Sequence, residues 1–78
     1  MGHYAFRVDV SDIDTESGSY EDAFYEAGCS DALIMVIDGH LRLDFDRSAL
    51  SYELAVESAL QNIARAGGTV TDIKKIEN

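Results

Sequence analysis

Apolar and polar residues alternate in two stretches of the chain, and this period of two predicts β-strands that are buried on one side. Tyr4 to Val10 alternate in this way, and His40 to Asp46 alternate again. Between them, Ala32 to Ile37 is a short, continuously apolar run rich in β-branched residues, which also favours a strand. The intervening pair Asp38-Gly39 is typical of a two-residue hairpin turn, so the second and third strands are predicted to pair.

Two other stretches show the helical spacing of apolar residues. Tyr20 to Ala27 and Tyr52 to Ala66 each place apolar side chains three and four residues apart, which predicts amphipathic helices. The second helix is expected to be capped by Ser51 or Ser48. A final strand is predicted over Thr69 to Ile76, and it is the weakest because its apolar residues do not share one parity.

The element order is therefore strand, helix, strand, strand, helix, strand. Both helices then cover one face of a four-stranded antiparallel sheet, which predicts a single α+β domain over residues 1–78 with the ferredoxin-like βαββαβ sandwich fold. The first and third strands are expected in the centre and the second and fourth at the edges. The predicted core consists of Phe6, Val8, Phe24, Ile34, Leu43, Phe45, Val56, Ala59 and Ile63.

The predicted hairpin turn sets the register of the second and third strands. Ile37 then pairs with His40, and the pairs continue to Ala32 opposite Phe45. Directly opposed residues share a face of the sheet, so the register divides the apolar run between the helix side and the open side. The side chains predicted on the open face form the candidate interface: Leu33, Met35, Ile37 and Arg42.

Large apolar residues that face water on an edge strand are a liability unless another surface covers them. We therefore expect a homodimer, most simply a two-fold dimer built on the open face or on the edge of the second strand. Arg42 of one copy is expected to meet an acidic residue of the other, for instance Asp9 or Asp44. A basic protein partner that covers the same surface is the alternative.

The charge narrows the range of partners. Fifteen acidic residues oppose six basic ones, which gives a formal net charge of -9. Because cations that neutralise phosphates supply most nucleic-acid affinity, direct binding to DNA, RNA or an anionic membrane is not expected. Cys29 is the single cysteine, so no intrachain disulfide forms, and no signal peptide opens the chain. These features favour the cytoplasm.

No motif indicates catalysis or a cofactor, and neither is expected. Cys29 follows a predicted helix C-terminus, where the helix dipole disfavours a thiolate, so we interpret it as structural. The pairs Asp12/Asp14 and Asp44/Asp46 are the best candidates for a hard cation, because an Asp-x-Asp strand segment points both carboxylates to one face. Solvated carboxylates are the simpler interpretation. Weak divalent-metal binding by Asp44 and Asp46, or small-molecule sensing, are alternatives to an interaction module.

Three segments of the sequence resemble a family of short, uncharacterised bacterial proteins. They are residues 24–32 (FYEAGCSDA), 43–47 (LDFDR) and 51–67. In that family a similar domain often precedes a small helix-turn-helix unit, so the resemblance implies an accessory module of a regulatory system. The present sequence ends at Asn78 without such a unit, and DNA binding is therefore not among the expectations.

Overall fold

A computed structural model describes residues 2–16 and 18–76 of the chain. Ser17 and both ends of the predicted 1–78 domain, Met1 and residues 77–78, lie outside the described residues. The described part contains six elements, which are numbered in chain order: β1 (Gly2–Ser11), α1 (Tyr20–Glu26), β2 (Ala32–Ile37), β3 (His40–Ala49), α2 (Tyr52–Arg65) and β4 (Thr69–Lys75).

The four strands form one antiparallel sheet with the order β2-β3-β1-β4. The two longest strands, β1 and β3, lie in the centre, and β2 and β4 form the edges. This is the predicted ferredoxin-like layout, and the predicted positions of all four strands are confirmed. The central pair is in register from Gly2 opposite Ala49 to Val10 opposite Leu41.

Strand β3 is longer than the alternating pattern predicted, whereas α2 begins at the predicted residue. The alternating pattern ends at Asp46, yet β3 continues to Ala49 because its last residues pair with the first residues of β1. Arg47 and Ser48 therefore lie in the strand. The cap of α2 is Ser51, whose hydroxyl oxygen accepts a hydrogen bond from the Leu54 amide at 3.2 Å.

The helices are short. Helix α1 has 7 residues and α2 has 14. Among the described residues, neither helix has the length and apolar character that crossing a membrane requires. Helix α2 packs on β1, β3 and β4, and Ala55, Ala59 and Ile63 form its buried stripe. The edge strand β2 lies away from this longer helix.

Seven of the nine predicted core residues are buried, and Ile34 and Val56 are the exceptions. Ile34 belongs to the edge strand and Val56 to the flank of α2, so each packs on the core from one side only. The core also contains residues that the prediction omitted: Val10, Ala27, Cys29, Leu41 and Ala55. Phe6 and Phe45 stack at its centre, with ring centroids 5.1 Å apart.

A β-bulge explains the irregular pattern of β4. The register with β1 shifts between Asp9 and Val10, so that Val8 pairs with Ile73 but Val10 pairs with Val70. The extra residue lets Val70 and Ile73 pack on the same core although they do not share parity. The pattern that weakened the prediction of this strand is thus the signature of the bulge.

Candidate interaction surface

The β2–β3 hairpin has the predicted register. Asp38 and Gly39 form its turn with φ angles of 53° and 79°, and positive φ at both central residues is what a type I′ turn requires. Ile37 pairs with His40, and the pairs continue to Ala32 opposite Phe45. The prediction that Leu33, Met35 and Ile37 share a face with Arg42 and Asp44 is therefore confirmed at the level of register.

Two of the candidate interface side chains on β2 are well exposed. Leu33 is 64% exposed and Ile37 is 41% exposed, whereas Met35 between them is partly buried. In the described part of the chain no helix covers this face of the sheet, so the three residues form an apolar row along its border. We call Leu33, Met35 and Ile37 the β2 row.

Val36 departs from the expectation for the other side of β2. Its parity turns it toward the helix side, yet it remains 43% exposed. Tyr25 on α1 is also 68% exposed. Apolar exposure around β2 is thus present on both sides of the strand.

Ion pairs cover the centre of the open face. Arg7 on β1 donates two hydrogen bonds to Asp44 on β3, from Nε at 2.8 Å and from an Nη at 3.1 Å. Next along the strands, Arg42 Nε donates to Asp9 at 3.0 Å. The hydrogen bond and charge of Asp44 raise the pKa of Arg7. These directly opposed pairs tie the two central strands together.

The expected role of Arg42 in joining two copies is therefore not supported by the geometry. Its guanidinium already pairs with Asp9 of the same chain, and Asp44 is held by Arg7. The hairpin turn sets the β2–β3 register, but no short turn connects β1 to β3. The register that brings these four side chains together was consequently not predictable from one local signal.

Charge is distributed unevenly between the two sides of the sheet. The open face carries acids and bases in near balance: Arg7, Arg42 and Lys74 with Asp9, Asp44, Asp46 and Asp72. The exposed faces of the helices carry mostly acids: Glu21, Asp22, Glu26, Glu53 and Glu57 with Arg65. Most of the net charge of -9 therefore lies away from the open face.

The aspartates proposed as metal ligands do not form a cluster. Asp44 binds Arg7, and Asp46 lies 3.7 Å from the His3 ring. Asp12 and Asp14 lie in the β1–α1 loop, where Asp14 accepts a hydrogen bond from the Glu16 amide. Within residues 2–16 and 18–76, no three His, Cys, Asp or Glu side chains converge on a common point. The arrangement therefore gives no support to the divalent-metal alternative.

Arg47 forms a joint between elements that are distant in sequence. All five of its N–H donors are used, two of them on the Asp31 carboxylate at 2.7 and 2.8 Å. The others donate to the carbonyl of Gly28, the hydroxyl of Ser58 and the amide oxygen of Asn62. Its side chain is 11% exposed. This saturated guanidinium is a structural tie, not a free anion site, and we call it the Arg47 joint.

Cys29 lies beneath this joint. It is 1% exposed and unbridged. Burial raises the pKa of its thiol to about 11, partly offset by the nearby Arg47. A neutral buried thiol is a poor nucleophile, which agrees with the interpretation of Cys29 as structural. No local pattern indicated that a cation lies near this thiol, because Arg47 is 18 residues away along the chain.

Two shallow depressions border β2. One, of about 290 Å³, lies at the hairpin end of the open face between Asp9, Ile37, His40 and Arg42. The other, of about 350 Å³, lies between α1 and the start of β2. Both are partly open to solvent, whereas ligand sites usually bury most of the surface of a small molecule.

The chain matches no protein-family model, and no curated protein is significantly similar to it. The fold and its surface therefore define the class: a small α+β sandwich with an apolar border on one edge strand. The resemblance to short bacterial proteins stays a hypothesis.

Proposed function

We propose that this domain is a non-enzymatic interaction module that self-associates through its open face. The observation that carries the proposal is the exposure of the β2 row, with Leu33 at 64% and Ile37 at 41%. Exposed apolar residues that are contiguous on a sheet border mark interaction sites more often than isolated ones do. A second copy that stacks on this face covers the row.

The charge distribution supports a second copy as the partner. Two chains that stack open face to open face bring the balanced surfaces together and leave the acidic helices on the outside. The central ion pairs, Arg7–Asp44 and Arg42–Asp9, stay satisfied within each copy. The overall repulsion between two chains of charge -9 then acts across the thickness of the dimer and is screened over about 8 Å at physiological salt.

The size of the face sets the expected affinity. Strands are about 4.8 Å apart and rise about 3.3 Å per residue, so a four-stranded face of this length covers on the order of 500 Å². Standard interfaces bury about 800 Å² per partner. We therefore expect a weak, reversible dimer with a Kd on the order of 10 µM, rather than an obligate one.

Sedimentation equilibrium of the wild type and of Leu33→Lys tests the proposal. The wild type is expected to shift from monomer to dimer between about 1 and 200 µM, while Leu33→Lys raises the Kd by about tenfold or more. Leu50→Lys is the matched control, because Leu50 is 75% exposed but lies between β3 and α2. A wild type that stays monomeric at low and moderate salt refutes self-association.

A different order of effects among the variants would place the dimer interface elsewhere on the molecule. If Leu50→Lys weakens the dimer and Leu33→Lys does not, the open face is not the surface used. If the dimer persists in Met35→Lys as well, the β2 row has no part in it. Circular dichroism of each variant establishes that the fold is retained, since these side chains lie outside the buried core.

A further inference from the structure

The outer edge of β2 offers backbone groups to another strand. In an antiparallel strand the N–H and C=O of successive residues point alternately to the two sides. The Asp31 carbonyl accepts a hydrogen bond from the Asp46 amide on β3. By this alternation the backbone groups of residues 33, 35 and 37 also point toward β3. The backbone groups of Ile34 and Val36 then point outward, away from the sheet. In the described part of the chain no strand occupies this edge.

Beside this edge lies the groove of about 350 Å³ between α1 and β2. Tyr25 and Leu33 give it apolar walls, and both are more than half exposed. Glu21 and Asp22 add two carboxylates from the first turn of α1. None of the described residues that line the groove is basic. The groove therefore has apolar walls at Tyr25 and Leu33 and is negative on its helix side.

We infer that this groove and the β2 edge together bind an extended segment of a basic partner protein, which adds as a fifth strand. The backbone of such a segment bonds Ile34 and Val36, as in other cases of strand addition. Its side chains alternate between the two sides of the sheet. Those on the helix side meet Glu21, Asp22 and the Tyr25 ring, and those on the open side continue the β2 row.

This geometry specifies the chemistry of the segment. Lysine or arginine is required at the positions facing α1, where carboxylates and an aromatic ring attract a cation. Valine, isoleucine or leucine is required at the alternate positions, beside Leu33 and Ile37. A second copy of β2 does not meet these requirements, because the strand has no basic residue and is flanked by Asp31 and Asp38.

The binding site shares the β2 row with the proposed dimer surface but depends on different contacts. Face-to-face stacking uses the open side of the sheet, whereas strand addition uses its edge. A chain that is monomeric at all concentrations still binds the segment, and a chain that dimerises need not. The two proposals are consequently separated by different measurements.

A capped seven-residue peptide of alternating lysine and valine is the probe. Its fluorescence anisotropy on titration with the full chain is expected to give a Kd on the order of 100 µM, against at least tenfold weaker binding of a glutamate–valine peptide. The largest amide shifts in a heteronuclear NMR titration are expected at Ile34 and Val36. A lysine–valine peptide N-methylated at alternate residues is expected to lose binding, since it cannot form the ladder.

Two double variants separate this groove from general attraction to an acidic protein. Glu21→Gln with Asp22→Asn removes the groove carboxylates and is expected to raise the Kd by about fivefold. Glu53→Gln with Glu57→Gln makes the same charge change on α2 and is expected to leave the Kd within about 1.5-fold. Equal losses in the two double variants overturn the inference. So do the absence of saturable binding up to about 1 mM peptide and amide shifts located away from β2.

Discussion

The two edge strands of this sheet are built in opposite ways. Strand β4 carries Asp72, Lys74 and Lys75 on its exposed positions and is bent by a bulge. Strand β2 has six consecutive apolar residues, no charge and no bulge. Charged side chains and bulges are the usual means by which proteins prevent further strands from joining an edge. One edge of the molecule is protected in this way and the other is not.

This difference shows where a partner is expected. Both strands lie at the border of the same sheet and have similar lengths, so geometry alone does not distinguish them. Their chemistry does, because an unprotected apolar edge in a small acidic domain promotes association. The substitution with the largest predicted effect destabilises both edge strands together. The substitutions with smaller effects are expected to act more on β2 than on β4.

The shared core is tested by Phe45→Ala, which is expected to lower the free energy of unfolding by about 3–5 kcal/mol. Phe45 is 1% exposed and stacks on Phe6 beneath both halves of the sheet. Chemical denaturation followed by circular dichroism measures the change. Both edges should lose protection from hydrogen exchange together. An unchanged midpoint would show that this ring is not part of the core.

Loss of the Arg47 joint should affect the two edge strands differently. Arg47→Met leaves the carboxylate of Asp31 and three other acceptors without their donor, and we expect a loss of about 2–3 kcal/mol. Asp31 directly precedes β2, so the amides of β2 should exchange with solvent faster than those of β4. Hydrogen exchange resolved by residue provides this measurement.

Arg47→Lys serves as the control for charge. It keeps the positive charge but replaces a planar fork of five donors with a single ammonium group. We expect it to recover only part of the lost stability. Equal stability of the lysine variant and the wild type would mean that charge alone, and not the fork geometry, holds the start of β2 in place.

The last effect concerns the buried thiol that precedes β2 and depends on pH. The pKa of the Cys29 thiol is raised to about 11 from an ordinary value of 9.0, chiefly by burial. Between these two values the unfolded chain loses the thiol proton and the folded chain keeps it. Stability should therefore fall as pH rises from about 9 to about 11, by at most about 1.4 kcal/mol per pH unit.

Comparison with Cys29→Ala isolates this contribution, because every other ionisable group is present in both proteins. The difference in unfolding free energy between the two proteins should shrink with rising pH above about 9 and stay constant below it. Urea denaturation at a series of pH values measures it. A difference that does not change with pH would mean that the folded thiol ionises as freely as the unfolded one.

The fold and the β2 row were predictable because local signals specify them. The Asp38-Gly39 turn determines which residue of β2 faces which residue of β3, and the alternation then assigns the faces. The same reasoning did not predict that Val36 is exposed. That property depends on how the rest of the chain packs over this end of the sheet, which no residue near Val36 encodes.

The ion pairs and the Arg47 joint were not predictable for a related reason. Arg7 and Asp44 are 37 residues apart, and Arg47 and Asn62 belong to different elements. Their contacts depend on the β1–β3 register and on the packing of α2, both of which arise from the whole core. Ser58 on α2 is likewise partly buried beside Arg47, a position that the spacing of apolar residues in the helix does not indicate.

The Arg47 joint has a consequence for how such chains diverge. Its members come from the three segments on which the hypothesis of a resemblance is based: Gly28 and Asp31 from the first, Arg47 from the second, and Ser58 and Asn62 from the third. Gly28 has a φ of 109°, and a Cβ there would lie 2.9 Å from the Asn62 side chain. Replacing one of these residues therefore leaves the others without a hydrogen-bond partner or in steric conflict. If the resemblance reflects descent, these positions should be inherited as a unit, while the residues of β2 vary with each lineage's partner.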